Sequence, residues 1–69
     1  MLNLKEYWHL NGKQIVVTCT DGQRISGLWI DWTSAQDNDP DLESIGIAKP
    51  WGEQIEIFVK DIQSIQEAP

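Results

Sequence analysis

The chain changes its hydrophobic period once, and that change separates a helix from a sheet. In "NLKEYWHLNG" the apolar residues Leu4, Tyr7 and Trp8 fall three and four positions apart, the spacing of one face of an amphipathic helix. Asn3 stands where a side chain caps the first free amides, and Glu6 three residues later completes the capping-box pattern. Gly12 then offers the left-handed conformation in which many helices end. The pattern predicts an α-helix over residues 3–11.

From Lys13 the period is two. Ile15, Val17 and Cys19 alternate with Gln14, Val16 and Thr18, a β-branched run that reads as a strand. Asp21-Gly22 is a hairpin dipeptide, so a second strand returns antiparallel from Gln23. Ile25, Gly27 and Trp29 share one of its faces, and Ser26, Leu28, Ile30 and Trp32 the other. Gly27, in the middle, is the natural place for strong curvature or a bulge. A long strand with apolar residues on both faces suits a small barrel, where each half meets a different neighbour. Gln36 to Asp41 reads as a polar loop, Ser44 to Lys49 as a third strand, "KPWG" as a turn and Glu53 to Val59 as a fourth strand. A brief turn at Lys60 to Ile62 leads to a last strand around Ser64 to Gln66. The expectation is one mostly β domain over residues 1–69, with a helix followed by five strands across 13–67.

Length sharpens this picture. A chain of 69 residues buries only roughly 60% of its unfolded surface when it folds alone. The single cysteine, Cys19, forms no intrachain disulfide, and His9 is the only histidine, so neither staple of a small core is at hand. Self-association is the remaining support. Against 11 acidic residues stand 5 basic ones, and the net charge of -6 opposes non-specific attraction to phosphate backbones and anionic membranes. No apolar run is long enough to span a bilayer and no leader pattern opens the chain, so a cytoplasmic protein without membrane contact is expected.

Candidate chemistry is sparse. The four tryptophans invite base stacking, which contributes about 1–3 kcal/mol per base. Trp29 falls on a core position, Trp8 on the helix face and Trp51 in a turn, which leaves Trp32 as the candidate. "DNDPD" places Asp37, Asp39 and Asp41 at alternate positions, like the opening of a calcium loop. It lacks that loop's glycine and closing glutamate, so a solvated acidic loop is the first reading and a calcium-binding module the weakest alternative. No cofactor or structural metal is expected. Cys19 reads as a small buried hydrophobe, His9 has no triad partner at a suitable spacing, and no glycine-rich phosphate loop is present. The chain is not expected to be an enzyme.

"DGQRISGLWIDWTSAQD" resembles the first motif of the Sm and Sm-like family, with Gly22, Ile25, Gly27, Trp29 and Trp32 at framework positions, and "IFVKDIQSI" resembles the second. The resemblance is to the small bacterial or phage and mobile-element type. It implies an Sm-like, SH3-like strongly bent five-stranded antiparallel barrel with an N-terminal α-helix, assembled into a homo-oligomeric ring. Family rings close by pairing the fourth strand of one subunit with the fifth of the next, which implies Ile55, Ile57, Phe58, Val59 and Ile65 at the subunit interface. The family's RNA pocket uses an Asp, an Asn, a stacking residue between them and an Arg-Gly pair. Here Thr33 and Asp37 fall on the Asp and Asn positions, Gln36 on the stacking position, and Lys60 and Asp61 on the Arg-Gly pair. The resemblance therefore implies a ring that could bind single-stranded RNA weakly or selectively, through Trp32, Thr33, Asp37, Asn38 and Lys60. The alternative is a protein-interaction or scaffolding ring that has lost the pocket and serves an unknown protein partner.

Overall fold

The structure, a computed structural model, describes residues 2–33 and 43–69, so the expected loop with Asp37 and Asn38 lies outside the described residues. A 3-10 helix, Leu4–Leu10, is followed by β1 (Gln14–Cys19), β2 (Arg24–Thr33), β3 (Ser44–Ala48), β4 (Gln54–Phe58), a one-turn 3-10 helix (Val59–Asp61) and β5 (Ile62–Glu67). The strands form one antiparallel sheet in the order β4-β3-β2-β1-β5. The expected strand set is present.

The N-terminal element is not the expected α-helix. With three residues per turn, a 3-10 helix stacks positions three apart, and here these are Leu4, Tyr7 and Leu10. Leu4 and Leu10 are buried and Tyr7 half-buried, whereas Trp8, expected on the apolar face, is turned outward and 45% exposed. Tertiary anchoring decides the tighter winding. The Gly12 amide donates to the Trp29 carbonyl (3.0 Å), and the Trp29 amide donates to the Lys13 carbonyl (3.1 Å), which clamps the helix end onto β2. At seven residues the segment is too short for intrinsic α preference to hold it against tertiary contacts. Asn3 caps as expected, its Oδ1 accepting from the Lys5 amide at 3.2 Å, and Gly12 takes a φ of 85° just past the helix.

Two hairpins share one device. In the β1–β2 turn the Gly22 amide donates to the Cys19 carbonyl and the Cys19 amide to the Gln23 carbonyl, with Gly22 at a φ of 91°. In the β3–β4 turn Gly52 and Lys49 do the same with Lys49 and Glu53, and Gly52 has a φ of 94°. Each is a turn of type I form closed by one left-handed residue, the position at which glycine carries no Cβ penalty.

The bend of the sheet is concentrated in β2. Its first half, Arg24 to Leu28, pairs with β1, and its second half, Leu28 to Thr33, pairs with β3. Gly27 allows the crossing: a Cβ there would sit 2.5 Å from Ile47 Cγ2 and 2.7 Å from the Ala48 carbonyl oxygen. The ladder then skips Ile30, since Trp29 pairs with Ile47 and Asp31 with Gly46. This bulge, not Gly27, breaks the alternation, and it changes an expected face. Trp32, expected opposite Trp29, is returned to the same side, paired with the buried Ile45.

Ile15, Val17, Trp29, Ile45 and Ile47 fill the centre of the core, closed above by Leu4 and Leu10 and at the far side by Val59, Ile62 and Ile65. Of the residues expected at a subunit interface, Ile57, Val59 and Ile65 therefore spend their side chains inside their own chain. Ile55 and Phe58 are half-buried, and Phe58 lies on the outer face, opposite Ile57.

Gly27→Ala is expected to destabilise the chain by about 1–3 kcal/mol, the usual cost of overpacking a closed site, because the added carbon meets backbone on β3. Gly46→Ala, whose Cβ would meet the Asp31 Cβ at 3.0 Å and backbone no closer than 3.8 Å, is expected to cost less. Urea denaturation of both variants checks the order, and equal midpoints would contradict it.

Candidate functional site at the end of the sheet

Two connections meet where β2, β3 and β4 run out side by side. Thr33 pairs with Ser44, and Ser44 with Phe58, in one row across the three strands. The Val59 amide donates to the Glu43 carbonyl (2.8 Å), which ties the chain entering β3 to the turn leaving β4. Lys60 is exposed on that turn. Trp32, Thr33 and Lys60 thus belong to one end of the sheet, while Asp37 and Asn38 lie outside the described residues.

Edge-to-face aromatic contacts and two carboxylates hold Trp32 in place. Trp8 meets Trp29 at 5.7 Å between ring centroids and Trp32 at 5.6 Å, both nearly perpendicular, so the helix aromatic bridges a buried indole and a half-exposed one. The Trp32 indole N–H donates to Glu43 Oε2 (2.7 Å), and its amide donates to Asp31 Oδ1 (2.8 Å). The buried Trp29 donates to the Asp31 carbonyl (2.9 Å), a partner made available by the bulge. What remains open is an apolar groove of about 290 Å³ lined by Leu4, Lys5, Trp8, Trp32 and Glu43. Trp32 keeps 40% of its surface exposed here.

The charges around this end are mainly negative. Asp31 and Glu43 flank Trp32 through hydrogen bonds, Asp61 follows Lys60, and Glu56 accepts from the buried Ser44 hydroxyl at 2.8 Å. An indole face with Lys5 in its groove and Lys60 at the same end of the sheet can stack a planar group, but the carboxylates oppose a phosphate path along it. Glu43 and Ser44 carried no motif that would mark them in the sequence. Trp8 was visible as an aromatic of the helix, and only the three-residue winding makes it a wall of the groove.

A second opening, a cleft of about 450 Å³, runs beside β4 and the β1–β2 hairpin. Cys19, Ile25, Ile55, Ile57 and Phe58 supply its apolar lining, and Asp21, Glu56 and Asp61 its charge. The Thr20 amide donates to the Asp61 carbonyl (2.9 Å), which holds Asp61 near the hairpin. Cys19 is a free, buried thiol, as its strand face required. Burial raises its pKa above the ordinary 9.0, and the carboxylates of Asp21 and Asp61 raise it further.

This shift sets a pH dependence. As pH rises past 9.0 the unfolded thiol ionises first, the folded state holds more protons, and stability falls as pH climbs through the folded value; below 9.0 the contribution is fully present. Wild type is expected to lose more of its urea midpoint between about pH 7 and about pH 10 than Cys19→Ala does. Alkylation of the native thiol by iodoacetamide is expected to be slow and to speed up in urea. An equal loss in both proteins would contradict the assignment.

Among the described residues no group of three or more His, Cys, Asp or Glu side chains is placed to hold a metal ion, and no helix is long and apolar enough to cross a membrane. No family model, curated protein or solved structure matches the chain.

Proposed function

We propose that the chain is a self-assembling Sm-like protein whose ring serves as a protein-interaction scaffold. The observation that carries this reading is the cleft beside β4: β4 and β5 are the two edges of one sheet, and β4 is bordered by an opening of mixed character in which Ile25, Ile55, Ile57 and Phe58 lie beside Asp21, Glu56 and Asp61. A strand from a second copy laid along β4 would satisfy its free backbone groups and cover Ile25, Ile55 and Phe58. Because both edges belong to the same chain, pairing β4 with the next copy's β5 is head-to-tail, the arrangement from which rings are built when the rotation per copy closes. The scaffold role is favoured over RNA reading by the acidic surroundings of Trp32 and the net charge of -6.

Single-stranded RNA is the second reading, supported by the half-exposed Trp32 face at the end of the sheet that carries Lys60. A membrane role has no support among the described residues, and a calcium site at Asp37, Asp39 and Asp41 falls on residues outside them.

Native mass spectrometry is expected to give a closed species at a whole-number multiple of 7.9 kDa. Phe58→Glu, which places a charge on the outer face of the edge strand, is expected to return it to 7.9 kDa with the circular dichroism of the fold retained. A wild type at 7.9 kDa under all conditions would end the ring reading. Adding uridine-rich and adenine-rich oligonucleotides at low salt tests the second reading. Binding that weakens by about 1–3 kcal/mol in Trp32→Ala, and whose salt slope drops by about one in Lys60→Glu, would move the assignment to RNA.

A further inference from the structure

The chain exposes three tryptophans, and they divide into a knob and a hole. Trp51 is 73% exposed at the tip of the β3–β4 hairpin. Trp8 and Trp32 wall the groove at the other end of β3, beside Ser44. We propose that the Trp51 tip of one copy docks into the Leu4, Trp8 and Trp32 groove of a second copy.

The knob is pre-set. The turn under it is closed by the Gly52 amide to the Lys49 carbonyl (3.0 Å) and the Lys49 amide to the Glu53 carbonyl (2.7 Å). Lys49 Nζ donates to the Ser26 carbonyl (2.8 Å) and lies 5.7 Å from the centroid of the Trp51 ring, while the indole N–H points to Glu53 Oε1 at 3.4 Å. A large aromatic held this way loses little conformational freedom on docking. The groove offers about 290 Å³ of almost wholly apolar space, with Lys5 and Glu43 as the charged residues of its lining among the described residues.

Charge fixes the occupant as a second copy. The knob carries Lys49 and Glu53, the groove Glu43 and Lys5, so each sign can meet its opposite in one orientation, Glu53 on Lys5 and Lys49 on Glu43. Among the described residues both local sets sum to zero, so these side chains do not add to the repulsion between copies of charge -6. Knob and groove lie at opposite ends of β3, which makes the contact heterologous, and where its rotation does not close it adds copy on copy as a stack. It uses neither β4 nor β5 edge, so it stands or falls apart from the ring. A single contact of this size is small, and several acting in parallel between two rings would gain by avidity.

Sedimentation velocity over a concentration series tests it. Wild type is expected to form multiples of its base unit, whatever the mass of that unit. Trp51→Ala, at an exposed position, is expected to keep the base unit and raise the midpoint concentration for stacking about thirtyfold, the loss typical of a hot-spot aromatic. Lys5→Glu and Glu53→Lys are each expected to weaken stacking, and the double variant to restore it. A wild type that stays at its base unit up to millimolar concentration, as it would if the groove were covered by its own chain, overturns the proposal. So does stacking that survives Trp51→Ala, or a double variant no better than the single ones. A base unit of 7.9 kDa would instead count against the ring alone.

Discussion

The close approach of β3 to Gly27 is the constraint on which the rest depends. A ten-residue strand serves two different neighbours only if its backbone lets the third strand lie almost against it at the crossing. With no side chain at Gly27, Ile47 and the Ala48 carbonyl occupy the space a Cβ would take, and Trp29, two residues on, is driven into the centre of the core. Everything beyond this point inherits the new direction. The bulge at Ile30 resets the alternation, Trp32 joins the side of Trp29, and Trp8 can then bridge the two. The groove at the end of the sheet is a product of that reset, not of any local motif.

Polar groups follow the same logic. The bulge frees the Asp31 carbonyl, which becomes the partner of the buried Trp29 indole, while the Asp31 carboxylate accepts from the next amide. No buried side-chain nitrogen or oxygen among the described residues is left without a partner. The cost of enclosing a tryptophan in so small a core is thus limited to packing, since its one donor is satisfied from the backbone.

How much of this was legible beforehand depends on how local the cause is. Strands β1 and β4 announce themselves by alternation, and both hairpins by a glycine at the one residue that must adopt positive φ. These features need only their neighbours in sequence. The end of the first helix is clamped by amide and carbonyl contacts of Gly12 and Lys13 to Trp29, a partner distant in sequence from residues 4–10. The bulge is similar, because Ile30 is a favourable strand residue and its displacement comes from fitting β2 to β3. At the site, Trp32 was singled out for its position, yet its anchor Glu43 lies eleven residues away with no spacing rule between them. The interface residues were placed by strand number alone, and burial divides them: alternation puts Ile57 inside and Phe58 outside.

The order of the strands also bears on how the chain is made. β1 lies between β2 and β5, with Val17 paired to Ile25 on one side and to Ile65 on the other. The first partnership closes through a four-residue turn, and the second must wait for almost the whole chain to be present. Until Ile62–Glu67 arrives, one side of an apolar strand stays open, and the core lacks Ile62 and Ile65. During synthesis β1 therefore keeps one open side until β5 has emerged, and its second pairing follows closure of a long loop.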